Sequence, residues 1–477
     1  MSARYDAIVI GGDIGGLVAA AYLARAGRKI LLLEAEDTLG GSCRTSTSLP
    51  GVRAAAGAQT LFALDPRVVK GLNLTRRGLK FAIRDMPLVN LRQGGSNLFL
   101  SRDLHAAARA IAAHSPADAE AYRRFHAEIF ALARAMRPWW WENAATPPRP
   151  ASTGQRRLLE QLKATSAVAL LTERFESDAL RATLAFDIPS PLEPGSALAF
   201  VWRASQEMCG LQGAVATPMG GMPALAELLA AMMQETGVEV RTRARVARLV
   251  LAGNSASGIE LDSGEAVFAP TILCSLSRRK TLLDLAPIAA AGFDETFILN
   301  RNARQSADMT LLFLLNAPPI LGGDAVARTS RFVITGGQEG FSANRDALVI
   351  EAVVPSSADP TIAPTGQHLL SVRVRGLPAA ESTKPPPTLV ERVVAALEPH
   401  ATHLRERIIG VDVRPSVEAK GFGVARLLSS YAERVETPIR GLFLCGASAE
   451  PMDAISGRAG RIAADIANGF LTREKCE

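Results

Sequence analysis

Apolar residues gather along the chain in three separated blocks. Asp6 to Ile10 is a short apolar run, glycines follow, a helix is predicted from Leu17 to Ala26, Gly27 turns the chain, and Lys29 to Leu33 is apolar again. The unit reads strand, glycine turn, helix, strand. A second block opens at Gly220-Gly221-Met222-Pro223, where Pro223 suits a first helical turn. Its helix is predicted to reach about Thr236 before Gly237, with short strands following to Cys274. The third block holds the apolar strand Leu442-Phe443-Leu444-Cys445 between Gly441 and Gly446, then a last helix from roughly Gly457 to Asn468.

Between the blocks lie a helical stretch, about 103 to 205, and a region of alternating strands such as Leu348 to Val354 and Leu369 to Val374. The fold class expected is α/β. One Rossmann-like dinucleotide-binding domain is assembled from 1–75, 210–285 and 430–477, and a discontinuous α+β substrate domain from 76–209 and 286–429. Pro147-Pro148-Arg149-Pro150 and Lys384-Pro385-Pro386-Pro387 read as loops or stiff linkers, and no internal repeat is visible.

Composition narrows the function. Of 477 residues, 48% are apolar and 21% charged, and no apolar run approaches the 18 or so residues that span a bilayer, so an integral membrane protein is excluded. The excess of 53 Lys and Arg over 47 Asp and Glu is mild and spread along the chain, which disfavours nucleic acid as a partner. Met1 to Asp6 lacks the sections of a secretory signal, so a cytoplasmic location is expected. Cys43, Cys209, Cys274, Cys445 and Cys476 are odd in number and far apart, which points to buried free thiols rather than disulfides or zinc. The histidines His105, His114, His126, His368, His400 and His403 are scattered and read as surface or packing residues, so no metal site is expected.

The candidate chemistry lies at the first turn. A dinucleotide needs a tight turn, then a glycine that lets the backbone approach the pyrophosphate, then a glycine for close helix packing. Gly11 and Gly16 fill the first and third places. Glu34 stands about 20 residues on, at the end of the second strand, where its carboxylate can accept hydrogen bonds from ribose hydroxyls. Gly40 and Gly41 then let the chain pass close to a ligand, and Arg44 can approach a phosphate.

The stretch Ile8 to Thr45 resembles the FAD-binding start of the phytoene-desaturase-like branch of the amine oxidase superfamily. The resemblance continues through Gly220 to Leu225, Val246-Ala247-Arg248-Leu249, Leu273-Cys274-Ser275, Leu444-Cys445-Gly446 and Ser456-Gly457-Arg458-Ala459-Gly460. It implies an FAD-dependent oxidoreductase that takes hydride from an apolar or amphipathic small molecule. By that similarity Val246 presents its backbone to the adenine, Gly446 belongs to the cofactor turn, and the loop before Gly457 closes over the ribityl chain and ring. The resemblance also implies that the insertions form the substrate domain. No catalytic side chain is named, because the flavin ring itself accepts the hydride.

Two departures open an alternative. Asp13 replaces the middle glycine of the first turn, and Met452-Asp453-Ala454 stands where relatives usually carry a glycine-rich run. A carboxylate about 4 Å from a phosphate, at an effective dielectric near 20, is disfavoured by up to about 4 kcal/mol, or about a thousandfold in affinity. Asp13 either points away, is neutralised by Arg44, or joins a bound cation. The alternative is a flavin-free descendant acting as a binding protein or as a non-catalytic subunit beside an active paralogue, in a homodimer or heterodimer. GDP dissociation inhibitors share this architecture without a flavin. Finally, Trp139, Trp140 and Trp141, three of the four tryptophans, either pack in the helical insertion or dip into a membrane interface.

Overall fold

The computed structural model describes residues 5–474 other than 94–95, 143, 145, 302–305, 324–325, 336–347, 379–384 and 416–424. Cys476 and Lys384 therefore lie outside the described residues.

Strand β1 (Ala7–Ile10) leads into helix α1 (Ile14–Arg25) and strand β2 (Ile30–Leu33). Both strands are apolar at every position and buried on both faces, as parallel strands under helices require. The second block supplies helix α2 (Gly221–Glu235), strand β3 (Glu239–Arg241) and strand β4 (Thr271–Cys274). The third supplies strand β5 (Leu442–Leu444) and helix α3 (Arg458–Glu474). Their five strands form one parallel sheet in the order β5-β4-β1-β2-β3. An antiparallel sheet of Val246–Ala252, Ser255–Leu261 and Ala266–Phe268 fills the crossover before β4.

Helix α1 starts at Ile14, three residues earlier than the apolar pattern predicts, because the glycine turn winds directly into it with Asp13 as its cap. Small residues let it pack tightly. A Cβ on Gly15 would lie 2.2 Å from the Cys445 carbonyl oxygen, and one on Gly460 of α3 would lie 2.2 Å from the Gly15 carbonyl oxygen.

The insertions build a seven-stranded sheet in the order 408–415, 306–315, 368–378, 349–353, 331–334, 88–90, 98–100. All neighbours are antiparallel except Arg331–Ile334 with Leu88–Asn90. The helices of the insertions have their own apolar core around Trp140 and Trp202.

The tryptophan triplet ends helix Pro116–Trp141 and is buried at all three positions. Three successive residues point in different directions on a helix, yet each direction is covered here. Trp140 donates its indole N–H to the Leu427 carbonyl at 3.0 Å, and the Trp141 ring packs 3.7 Å from the Arg137 guanidinium and 4.8 Å from that of Arg458. Of the two readings of these rings, packing in the helical insertion is the one the structure displays: protein surrounds all three. No described helix is long and apolar enough to cross a membrane.

Candidate active site

A cavity of about 480 Å³ runs from the outer end of the parallel sheet to the inner face of the seven-stranded sheet. At its first end Glu34 closes β2. Its Oε2 accepts the Gly12 N–H at 2.8 Å and its Oε1 the Glu36 N–H at 2.9 Å. Each oxygen keeps a further lone pair, so Glu34 can still accept a ribose hydroxyl. Val246 starts the antiparallel sheet beside it and lines the same wall.

Asp13 sits next along the cavity. Its backbone has φ −72° and ψ 177°, extended geometry open to any residue, so the position does not demand glycine. Its carboxylate folds back over the helix end and accepts the Gly16 N–H at 2.8 Å. That is an N-cap, and it adds a negative charge at the positive end of α1. The Ile14 and Gly15 N–H groups, also on the cavity wall, donate to no acceptor among the described residues. Across from the cap, Gly41 presents its backbone to the Asp13 side chain; a Cβ on Gly41 would lie 2.7 Å from the Asp13 Cβ. Gly40, at φ 120°, is turned toward Ala226 of α2 instead, and Gly16 lies against the Gly11 carbonyl; both shape the turn from outside the cavity. Arg44, beyond Gly41, points its guanidinium to the Glu36 carboxylate at 3.8 Å and the Gly41 carbonyl at 3.4 Å.

The loop after β5 closes the middle of the cavity. Gly446 admits no side chain, since a Cβ there would stand 1.9 Å from the Ser275 carbonyl oxygen. Met452 and Asp453 both adopt left-handed backbone, at φ 58° and 50°. For non-glycine residues that costs roughly 1–2 kcal/mol each, which explains in physical terms why glycine suits this loop. Asp453 turns its carboxylate to Arg426 at 3.0 Å. Gly457, at φ 68°, leads into α3 and lines the wall with Ser456.

Under this loop lies a buried polar hub. Arg458, with no exposed surface, donates to Asp65 at 2.9 Å, to the Tyr431 hydroxyl at 3.1 Å, and to the Gln206 and Trp140 oxygens, each at 3.3 Å. Glu450 accepts the Tyr431 O–H at 2.5 Å, the Ala459 N–H at 2.7 Å and the Ser456 O–H. Burial pushes the Asp65 carboxyl up, but Arg458 and Arg67 together outweigh it and hold the group below the usual carboxylate range. Cys445, buried behind Asp13, has its thiol pushed well up by burial and then by that carboxylate.

Residues 14–282 match the profile of the family described as flavin containing amine oxidoreductase, more than half of the chain. The chain belongs to this family. Mouse pyridine nucleotide-disulfide oxidoreductase domain-containing protein 2 is 27% identical over 97% of this chain and 93% of its own length. Hydroxyneurosporene desaturase of Cereibacter sphaeroides is 33% identical over 56% of this chain and 55% of its own. Among solved structures, a variant of putrescine oxidase superposes with a TM-score of 0.68 at 16% identity, covering 98% of this chain and 99% of its own. A RAB GDI from Plasmodium falciparum does so at 0.54 and 12%, covering 99% and 97%. The structural likenesses show the fold.

The carotenoid-desaturase relatives place this flavin amine oxidoreductase in the phytoene-desaturase-like branch. Its residues fit the dinucleotide of the family in shape. Gly11, Asp13, Glu34, Gly41, Arg44, Val246, Gly446, Asp453 and Gly457 all line one cavity. The far end of the cavity was not foreseen from the sequence: Gln59, Phe62, Pro189, Thr310, Arg373 and Arg375 come from loops and strands far apart in the chain. Gln59 Nε2 donates to Ser371 at 2.9 Å while its Oε1 is buried without a partner among the described residues, so a donor from water or a ligand must complete it. Among those residues no group of three or more His, Cys, Asp or Glu side chains is placed to hold a metal ion.

Proposed function

We propose that the cavity holds FAD and that the enzyme oxidises an apolar or amphipathic small molecule lodged against the seven-stranded sheet. One observation carries the reading: a single cavity joins the glycine turn of α1 to that sheet. When bound, the isoalloxazine ring would accept hydride from a substrate C–H and pass the electrons to oxygen or a quinone. The chain's own part is positional. Glu34 accepts from the ribose, the Ile14 and Gly15 N–H groups donate to phosphate oxygens, and Gly446 and Gly457 bring the backbone against the cofactor's inner half. Phe62, Leu61 and Pro189 exclude water around the substrate, which keeps the reacting carbon dry.

A second reading is favoured by one observation, the Asp13 carboxylate already seated on the end of α1 that would face a pyrophosphate. In it the chain binds no flavin and serves as a binding protein, or pairs with a second copy or an active paralogue. The visible absorbance of the purified protein separates the two. The first expects flavin bands that are released on denaturation or appear on titration with FAD. A colourless protein that takes up no added FAD sinks it in favour of the second.

A further inference from the structure

The end of the cavity against the seven-stranded sheet carries two arginines that no ion pair among the described residues engages. Residues 371, 373 and 375 alternate along strand His368–Pro378 and so share a face. Ser371 holds Gln59, and the Arg373 and Arg375 side chains line the cavity. Arg373 donates to the Gly57 carbonyl at 3.1 Å; Arg375 donates to the Phe186 carbonyl at 2.5 Å and lies 4.9 Å above the Phe186 ring. A guanidinium has five N–H donors, so most of each fork is left over. No carboxylate among the described residues forms an ion pair with either arginine.

Two of the nearby acids are already paired with another arginine. Asp187 makes a two-point pair with Arg331 at 2.6 and 3.0 Å, and Glu351 takes the third side of the same guanidinium at 2.7 Å. Asp187 also feels the charges of Arg203 and Arg375. Asp308, opposite on the neighbouring strand, lines the cavity too; it accepts the Gly376 N–H at 3.3 Å and forms an ion pair with neither arginine. Four guanidinium groups thus meet three carboxylates, and the two that reach the cavity have no carboxylate bound to them. Phe62, Leu61 and Pro189 beside them offer an apolar wall.

We infer that Arg373 and Arg375 hold a carboxylate of the substrate, so that the substrate is an amphipathic carboxylic acid with an apolar body rather than a pure hydrocarbon. A planar fork pair of this kind recognises carboxylate geometry and discriminates against a cation of the same length. The inference deepens the reading of this cavity as the site of an FAD-dependent oxidoreductase and is separable from it.

The test uses the full-length protein with decanoate, decylamine and decan-1-ol as probes. Trp202, edge-on to Phe62 with ring centroids 6.3 Å apart, supplies an intrinsic fluorescence signal. Decanoate is expected to bind at least tenfold tighter than decylamine or decanol, and the preference to weaken with salt. R373Q and R375Q should each lose about tenfold in decanoate affinity and the double variant the whole preference, while R375K, which keeps the charge but not the fork, falls between wild type and R375Q. Equal binding of all three probes to the wild type overturns the inference, as does unchanged decanoate binding in a folded double variant. Should the double variant not fold, the ranking of probes on the wild type decides alone. FAD uptake is followed separately by absorbance. A protein that binds decanoate but no FAD keeps the anion site and loses the flavin reading, and a yellow protein indifferent to head-group charge does the reverse.

Discussion

Arg458 and Asp65, 393 residues apart in sequence, meet at 2.9 Å with neither side chain exposed. The pair fastens the first residue of α3 to the segment after the glycine loop, and through Trp140 and Gln206 to the helical insertion. Removing one partner of a buried pair leaves an uncompensated charge, which typically costs 3–5 kcal/mol. R458M should therefore lower stability by about 3 kcal/mol or more in urea unfolding, with R458K in between. A loss below about 1 kcal/mol would show that Arg67, 3.1 Å from the same carboxylate, carries Asp65 alone.

The same carboxylate sets a direction with pH. Its folded-state pKa lies below the ordinary value, so its contribution is present above the unfolded carboxylate pKa and is lost as pH falls through the lower folded value. D65N should unfold at a lower temperature than wild type at pH 7, with the difference shrinking as the medium is taken from about pH 4 downward. A gap that is constant through that range would rule out the charge as its source.

Asp13 offers a clean separation of charge from capping. Asparagine caps a helix about as well as aspartate, whereas glycine gives up only a few tenths of a kcal/mol. D13N removes the charge facing the cavity and keeps the bond to Gly16. FAD affinity of D13N and D13G should rise together, by about tenfold to a hundredfold. That is less than the thousandfold expected of an unpartnered carboxylate near phosphate, because this one is partly spent on the helix end. Titration of the apoprotein by flavin fluorescence checks it; identical affinity in wild type and D13N would show that the carboxylate does not oppose the dinucleotide.

His126 stacks on Phe130 with ring centroids 3.8 Å apart, and burial, with Arg102 and Arg134 nearby, brings its pKa down to about 4. Between that value and the unfolded pKa near 6.5 the unfolded chain binds the extra proton, so stability falls as pH is lowered through this window. H126Q should flatten the melting-temperature slope between about pH 6.5 and 4 while changing little above pH 7. An equally steep slope in the variant would assign the acid sensitivity to other groups.

The parallel sheet drawn from three blocks was legible because parallel strands and glycine turns leave local marks: Ala7–Ile10, Ile30–Leu33 and Leu442–Leu444 are apolar at every position. Glu34 was readable from its spacing alone. The direction of the Asp13 side chain was not, since folding back onto Gly16 and pointing at a ligand are both open to that residue. The tryptophan triplet was ambiguous for a related reason. Its burial depends on Leu427 and Arg458, which only tertiary folding brings near. Arg373 lay inside the strand Leu369 to Val374 that the alternation predicted and Arg375 one residue beyond it, but nothing local tells which face of a two-sided sheet meets the cavity. The Arg458 hub was invisible, because charged residues buried by partners hundreds of positions away carry no periodic signal.

Helix α3 supplies an internal control for the packing of the cofactor-binding core. Gly460 and Gly469 both lie in it, and the same change to alanine should act with opposite sign. At Gly469, exposed, a Cβ meets nothing within 4 Å, so G469A should stabilise the helix by roughly 0.5–1 kcal/mol through reduced backbone entropy in the unfolded chain. At Gly460 a Cβ would lie 2.2 Å from the Gly15 carbonyl oxygen, a backbone atom that cannot rotate away. Helices α1 and α3 must then separate. Overpacking of this kind costs typically 1–3 kcal/mol, and it displaces the Ile14 and Gly15 N–H groups from the cavity wall. G460A should accordingly melt lower than wild type and lose FAD affinity together with stability, whereas G469A melts higher with affinity unchanged. Equal melting temperatures for the two variants would mean that α1 and α3 do not meet through glycine backbone.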